Sequence, residues 1–396
     1  MRPYIKGSLT VLATVLWGLG LAAAPFCLAD EPVSKKELDA RKKIEAKLDK
    51  LAELDFKDTR LGDIAEVFTA KQVPVVVDKQ ALQDAGIILD LRYALKMSNG
   101  ISYRSVIRML VEPLGLTYVI GPEEVTITSL TAAVKKLETR EYDLKTFGPL
   151  AKEGESLVPV IAVMTDGPWE QLDGTGGTIE GKPSLLTVHQ HQPGHRQVEH
   201  LLNLMKRVNS PRMAPETREE LMEARWLENL NRTADFECKD LQLTGVMEKL
   251  GYKHEIFFWI NGRALGSQGT DDKSLITGNY SKRPVKEILK EILEPLKCTY
   301  VVDHECVLIT SQKDAEKRFQ VRCFPALKLS KTKDKKEILD ALHEVEDVRW
   351  EDRDGKGGRA DVVGNVLIVR QTREGFEKLN TVLGEKAKPP MGKKSK

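Results

Sequence analysis

The sequence predicts an α+β protein in which two kinds of small α/β module alternate along the chain. Three observations lead to this prediction. Short runs rich in β-branched residues, such as 73–77, alternate with stretches whose apolar residues recur at helical spacing. The same pattern returns in the second half of the chain at a fixed offset, and a second, shorter α/β segment follows each copy. The predicted fold is thus a tandem repeat of small β-α-β-β-α-β-β modules, each followed by a second small module.

The internal repeat is read from direct matches of the chain with itself. The segment 112–119, with the sequence EPLGLTYV, matches 294–301, EPLKCTYV, at an offset of 182 residues. Lys57-Asp58 meets Lys239-Asp240 at the same offset, and Trp169 meets Trp350 one residue short of it. Because apolar positions match along with these residues, we expect one fold to be used twice.

The first module is predicted over 54–130 as one small sheet with helices on one face. Leu61, Ile64 and Phe68 recur at helical spacing and form an apolar stripe. The pattern predicts strands at 54–56, 73–77, 91–97, 116–120 and 125–128, and helices at 61–68 and 102–110.

The second module is predicted over 138–209. It begins at Glu141-Tyr142-Asp143-Leu144, continues with a helix before Trp169 and ends with a helix over 198–205. Between them, 169–188 predicts two strands, with the glycines of 174–177 at the tip of a hairpin.

A charged helix precedes each unit, and both helices share a start signal. Ser34 with Glu37, and Thr217 with Glu220, have the spacing of a capping box. The predicted organisation is a signal peptide at 1–29, a charged helix at 34–53, modules at 54–130 and 138–209, a linker helix at 215–231, modules at 234–312 and 318–386, and a disordered basic tail at 387–396.

The first residues have the pattern of a secretory signal peptide. Arg2 and Lys6 precede an apolar run from Leu9 to Ala24, and small residues follow. An uncleaved N-terminal anchor is the alternative. We therefore expect a periplasmic or secreted protein with no membrane span after cleavage. The net charge of +2 over 396 residues gives no electrostatic footprint for nucleic acid.

Several short runs in the first module carry a resemblance to a known family. They are Phe56-Lys57-Asp58 with Leu61 and Ile64, then Val75-Val76-Val77-Asp78, then Pro113-Leu114-Gly115-Leu116-Thr117-Tyr118, and finally Val125-Thr126-Ile127-Thr128. On these residues, the segment from 54 to 129 resembles the short N-terminal (STN) domain shared by secretins and TonB-dependent receptors. The second copy matches at Lys239-Asp240 and Pro295-Leu296, but departs at Phe258-Trp259-Ile260. The trailing segments resemble the ring-building N-domain of secretins.

The resemblance implies a protein-interaction role. Domains of this kind are periplasmic modules that bind partner proteins, or one another in rings, partly by adding strands at exposed edges. The run with Val73, Val75 and Val77 is the predicted docking edge, since a proline within it is tolerated on an edge strand. The expected partner is an envelope protein or a second copy of the chain.

The histidines suggest a second hypothesis, a metal-binding envelope protein. His189, His191, His195 and His200 are four of the seven histidines and lie at a strand end and the helix after it. Converging imidazoles could bind Zn²⁺ or Cu²⁺. The alternative is that they are ordinary surface or core residues, because the second copy has other residue types at the matching positions.

Cysteines leave two alternatives open. Cys238, Cys298, Cys306 and Cys323 fit no zinc spacing. Cys298 and Cys306 flank a predicted hairpin turn, so they could form a disulfide in an oxidising compartment. Free buried thiols are the equal alternative.

The remaining constellations give little reason to expect an enzyme or a cofactor. The glycines at 174–177 lack the Gly-Lys-Ser/Thr ending of a phosphate loop. Glu170 and Glu351, in acidic segments after Trp169 and Trp350, are the basis of a third and weakest hypothesis, a hydrolase of wall polymers. We expect a non-enzymatic protein without a cofactor, whose repeated modules mediate protein–protein interaction or self-assembly.

Overall fold

The computed structural model of the chain describes residues 32–97, 100–208, 217–326 and 334–384. The predicted signal peptide at 1–29 and the predicted tail at 387–396 lie outside these residues. In the part of the chain that is described, no helix combines the length and the apolar character needed to cross a bilayer.

The first half opens with a charged helix and continues as a mixed α/β segment. Ser34 caps the first helix by accepting a hydrogen bond from the Glu37 amide, as the sequence predicts. The elements are α1 (Lys35–Leu48), β1 (Leu54–Arg60), α2 (Ile64–Thr69), β2 (Val75–Val77), α3 (Lys79–Asp84), β3 (Arg92–Met97), α4 (Tyr103–Val111), β4 (Leu116–Ile120), β5 (Val125–Ser129) and α5 (Leu130–Ala133).

These strands form two small sheets, so the prediction of a single sheet is wrong. β1 pairs antiparallel with β3, while β2, β5 and β4 form a separate three-stranded sheet in that order. Helix α2 contacts both β1 and β2, and Ile64 and Phe68 on it are fully buried. Helix α2 therefore buries its apolar stripe against strands of both sheets rather than on the face of a single sheet.

The next segment forms an antiparallel sheet of order β6-β8-β7. Two helices lie between β6 and β7 in the chain, and a third follows β8. Its elements are β6 (Leu137–Asp143), α6 (Gly154–Met164), α7 (Glu170–Asp173), β7 (Thr178–Lys182), β8 (Leu185–His191) and α8 (Gln192–Val208). The hairpin turn lies between Lys182 and Leu185, so the predicted tip at 174–177 is wrong. Those glycines instead follow the short helix α7 and lead into β7.

The second half has the same strand orders. Sheets β9-β11, β10-β13-β12 and β14-β16-β15 follow the patterns of β1-β3, β2-β5-β4 and β6-β8-β7. The elements are α9 (Arg218–Asn231), β9 (Thr233–Gln242), α10 (Leu243–His254), β10 (Phe258–Ile260), α11 (Gly262–Gly266), β11 (Leu275–Pro284), α12 (Val285–Leu293), β12 (Cys298–Asp303), β13 (Cys306–Ser311), α13 (Gln312–Ala315), β14 (Phe319–Pro325), α14 (Lys335–His343), α15 (Glu351–Asp354), β15 (Arg359–Val363), β16 (Val366–Thr372) and α16 (Arg373–Leu383).

The matched tryptophans and glycines of the two halves have a structural role. Trp169 and Trp350 are fully buried. The Gln190 side-chain amide donates to the Pro168 carbonyl over 2.9 Å, and Gln371 donates to the Arg349 carbonyl over 3.0 Å. Both interactions pin the loop that holds the tryptophan against the central strand of the sheet.

The two halves pack together through shared hydrophobic cores. Val301, Cys306 and Leu308 of the second half belong to the core of the first half's β2-β5-β4 layer. Val366 and Ile368 belong to the core around Trp169. Because buried apolar surface is the main source of stability, neither half completes its core without the other.

The glycines beside Trp169 give the first testable prediction. A Cβ on Gly177 would collide with the backbone carbonyl of His189, so Gly177→Ala should destabilise the protein by about 1–3 kcal/mol. The control is Gly262→Ala, where a Cβ meets open space and stability should stay within about 0.5 kcal/mol. Urea unfolding midpoints measure both, and equal midpoints for the two variants would contradict this account.

Candidate functional site

The predicted docking edge is an edge strand in the structure. β2 occupies one end of the order β2-β5-β4. The Val125 amide donates to the Pro74 carbonyl and the Asp78 amide to the Ile127 carbonyl, so the even-numbered residues of this segment face β5. The N–H and C=O groups of Val75 and Val77 therefore face the open side, and within the described residues they have no hydrogen-bond partner.

Val73 does not belong to this edge. The strand begins at Val75, two residues later than expected. The Val73 amide donates to the Phe68 carbonyl over 3.1 Å at the end of α2, and its side chain is buried. The unpaired edge thus consists of Val75 and Val77 alone.

The second half has an equivalent edge. β10 pairs parallel with β13 and lies at the end of its sheet. The Val307 amide donates to the Phe257 carbonyl and the Asn261 amide to the Ile309 carbonyl, which turns the peptide groups of Phe258 and Ile260 outward. Phe258-Trp259-Ile260, where the second copy departs from the family pattern, still forms a strand.

The four histidines do not converge on a common point. Nδ1 of His189 lies 2.9 Å from the Thr139 hydroxyl, and Nδ1 of His191 accepts from the Gly194 amide over 3.0 Å. Both ring nitrogens of His195 have partners, while His200 is exposed on α8. Among the described residues, no three of these imidazoles place ligand atoms within 4.8 Å of one another. Metal binding by this group therefore stays a prediction that its arrangement does not support.

Burial keeps two of these histidines neutral. It lowers the pKa of both His191 and His195 from 6.5 to about 4, with a smaller contribution from Arg196 at His191. Both are neutral at pH 7 and act as hydrogen-bonding core residues.

The disulfide alternative for Cys298 and Cys306 is wrong. In the antiparallel pair β12–β13, Cys298 lies opposite Ser311 and Cys306 lies opposite Asp303. The two thiols sit at opposite ends of the hairpin, beyond disulfide reach. All four described cysteines are free, and three of them are buried.

The acidic residues near the tryptophans have mainly structural contacts. Asp173 accepts the Trp169 amide over 2.9 Å, and Asp354 accepts the Trp350 amide over 2.8 Å. Glu351 is ion-paired with Arg359. A hydrolase needs two carboxyl groups facing one cleft, and these contacts offer no such pair.

A cavity of about 460 Å³ lies where the modules of both halves meet. Helix α4 and strand β4 of the first half form one side of it, with α8. The start of α9 and the end of β12 form the other side, with β14. Charged side chains line much of its wall, including Arg104, Arg108 and Arg196 from the first half and Glu219, Asp303 and Glu305 from the second.

Glu305 makes the most complete contact between the halves. Its carboxylate accepts the Ser102 amide over 3.0 Å and the Ser102 hydroxyl over 2.6 Å at the start of α4. Arg218 donates to the same carboxylate over 2.9 Å. The Trp226 indole N–H donates to the Glu305 carbonyl over 2.8 Å. A carboxylate at a helix N-terminus is favoured by the free amides and the helix dipole, so this buried charge is well satisfied.

A second set of charges surrounds His304, which is 3% exposed. Its Nε2 lies 2.8 Å from Glu112 and its Nδ1 lies 2.9 Å from Asp303. Arg108 pairs with Glu112 over 2.7 Å and with Glu219 over 3.0 Å. Together these side chains form an ion-pair network between α4, the α9 start and the β12–β13 turn.

This network shifts the pKa values of His304, Glu112 and Asp303 toward their charged forms. Burial lowers the pKa of His304, but Asp303 and Glu112 outweigh burial and raise it from 6.5 to about 9. Burial raises the pKa of Glu112, but Arg108 and His304 lower it to about 2. The same opposition holds the Asp303 pKa well below 3.8. All three groups are therefore ionised at pH 7.

The residues that could hold a metal ion lie in this network. Ligand atoms of Glu219, Asp303 and His304 come within 4.8 Å of one another. Arg108 and the protonated His304 already balance the carboxylates, however, and a metal would have to displace both cations. The arrangement is therefore that of an ionic contact between two surfaces.

Sequence reasoning missed this network. Its members are separated by up to about 200 residues in the chain, and none belongs to a recognised motif. One signal was present: the tip of the second copy reads Asp303-His304-Glu305 where the first copy has Gly121-Pro122-Glu123. Such a change of charge at matched positions can indicate that the two copies have different neighbours.

Comparison with known proteins gives local similarity only. No family profile matches the sequence, and no curated protein sequence matches it significantly. Among solved structures, the chain is similar to InvGN0N1:SpaPQR:PrgHK from the Salmonella SPI-1 injectisome NC-base, with 12% identity and a TM-score of 0.19 over 38% of this chain and 92% of that one. It is similar to XcpQN012, with 14% identity and a TM-score of 0.17 over 39% of this chain and 64% of that one.

A third structure is the GspC-GspD complex from the type II secretion system of enterotoxigenic Escherichia coli. Identity is 16% and the TM-score is 0.15, over 38% of this chain and 96% of that one. These structural neighbours are secretin N-terminal domains, the kind of domain that the sequence resembles. Each match spans about two fifths of the chain at a TM-score far below 0.5, so membership of the family stays a prediction.

Removing the Glu305 carboxylate should weaken the contact between the halves. Glu305→Ala removes the carboxylate to which the Ser102 amide and Arg218 donate. We expect a loss of about 3–5 kcal/mol in the free energy of unfolding. Glu123→Ala, at the matching but exposed position of the first copy, should change it by less than about 0.5 kcal/mol. Chemical denaturation measures both, and an unchanged Glu305→Ala midpoint would refute the role of this carboxylate.

His304 should make stability depend on pH on the alkaline side. Its pKa in the folded chain, about 9, lies above its ordinary value of 6.5, so its ion pairs stabilise fully below pH 6.5 and are lost as pH rises through 9. We expect a decrease on the order of 2 kcal/mol across that range. In His304→Gln this decrease should be absent, and a wild-type stability profile that is flat from pH 6.5 to 9 would contradict the assignment.

Proposed function

We propose that the chain is a duplicated, non-enzymatic envelope protein whose STN-like modules bind protein partners through their open strand edges. The observation that carries this proposal is the unpaired edge of β2, where Val75 and Val77 present backbone donors and acceptors. An extended peptide can add to such an edge as a fourth strand and gain several backbone hydrogen bonds at once.

The edge has the properties that strand addition needs. β2 is held in place by its pairing with the buried strand β5, so the edge is preformed. The Val75 side chain is buried, while Val77 is partly exposed. Backbone bonds would therefore provide much of the affinity, and the side chains next to Val77 would select among partners.

The envelope location rests on the signal-peptide pattern and the family resemblance. The second edge, at Phe258 and Ile260, gives the chain a second place for the same kind of partner.

The proposal is tested by blocking one backbone donor. Val77→Pro removes an outward amide without removing any bond to β5, and proline is compatible with an edge strand. In affinity capture from cross-linked envelope, we expect this variant to lose the partner that the wild type retains. Val77→Thr keeps the amide and should still capture it. Equal capture by all three proteins would show that the β2 edge is not the docking site.

A further inference from the structure

The ionic contact between the halves has an unfilled counterpart in the second half. At an offset of 182 residues, Arg104 and Arg108 on α4 correspond to Lys286 and Lys290 on α12. Tyr118 on β4 corresponds likewise to Tyr300 on β12. The first set lines the cavity between the halves. The second set lines a groove of about 850 Å³ between α12, β12 and α16, which we call the open groove.

The two grooves differ in what covers them. In the first half, the turn after β12 and the start of α9 lie against α4, and Arg104 and Arg108 are partly buried. In the second half, Lys286 and Lys290 are exposed, as is the neighbouring Glu294. Within the described residues, nothing takes the place over the open groove that the β12–β13 turn takes over the first one.

The element of the first half that would match this turn is exposed. The β4–β5 turn of the first half corresponds in position to the β12–β13 turn. Asp303, His304 and Glu305 lie within the contact between the halves, but Glu123 and Glu124 are exposed. We call Glu123 and Glu124 the acidic tip.

We propose that the acidic tip of one chain docks in the open groove of a second copy. This contact would repeat between chains the contact that the two halves make within one chain. It deepens the proposed function by naming a second copy of the chain as a partner, at a surface separate from the β2 edge. Because tip and groove are different surfaces, each chain can use both, and the assembly is a ring or a filament.

The open groove is lined by charges of both signs, and the two lysines on α12 are the part of it that fits this occupant. The acidic tip would meet Lys286 and Lys290, as the tip of the second half meets Arg108 within the chain. In the first groove the start of α9 lies near α8. By the same placement, Lys35 at the start of α1 would lie near Glu374 and Glu377 of α16, which are exposed.

One difference between matched positions of the two halves should make the contact between chains weaker than the contact within the chain. The position of Ser102, whose amide and hydroxyl bind Glu305, is Pro284 in the second half, and proline has no amide hydrogen. Docking there depends on exposed lysines, so we expect micromolar to millimolar association that weakens as salt is added.

The test uses sedimentation velocity on the purified chain without the predicted signal peptide at 1–29. The wild type should show a mass that rises with concentration and falls with added salt. Glu123→Ala/Glu124→Ala, which removes the acidic tip, and Lys286→Glu/Lys290→Glu, which reverses the groove, should each associate at least tenfold more weakly. Lys239→Glu/Lys249→Glu, which reverses two exposed lysines outside the groove, should behave as the wild type.

Mixing the two defective variants gives the decisive result. The groove variant keeps its acidic tip and the tip variant keeps its groove, so one functional contact remains and the mixture should form a 1:1 complex that does not grow. A wild type that stays monomeric up to about 1 mM, where binding is weaker than about 4 kcal/mol, would overturn the proposal. So would variants that associate as the wild type does, or a mixture that grows beyond two chains. Capture through the β2 edge does not depend on these residues, so the two proposals can fail separately.

Discussion

The arrangement of the two halves depends on a buried carboxylate and on the helix N-terminus that binds it. Glu305 is 4% exposed, and removal from water is unfavourable for a carboxylate unless its oxygens find donors. Ser102 supplies two donors and Arg218 a third. Since Ser102 lies in the first half and Glu305 in the second, this charge can be buried only when the two halves are correctly aligned.

Apolar packing and the ionic network contribute differently to the contact between the halves. Leu308 and Val301 remove apolar surface from water and supply most of the attraction. The ion pairs around His304 contribute less net energy, because desolvation offsets much of their attraction. Their geometry instead fixes one alignment of the halves, since a shift would separate His304 from Glu112 and Arg108 from Glu219.

Local patterns in the sequence predicted the local structure well. The helical spacing of Ile64 and Phe68 and the β-branched run ending at Val77 correspond to α2 and β2. Features that depend on contacts far apart in the chain were missed: the division into two sheets, the turn at 183–184 and the register that separates Cys298 from Cys306. The strand edge could be predicted, because proline and valine have local preferences for edge strands. The ionic contact could not be predicted, because no local pattern around Ser102 or Glu305 indicates that the two residues meet.

Pro284 has a consequence for the order in which contacts form. Two halves with the same strand orders, joined in a single chain, are at risk of exchanging partners, with the second half of one molecule closing on the first half of another. The serine amide makes the first groove the stronger receptor, and the proline leaves the second groove with charge alone. The tethered partner is also at high effective concentration. Each molecule should therefore close on itself during folding, and only completed monomers would meet one another.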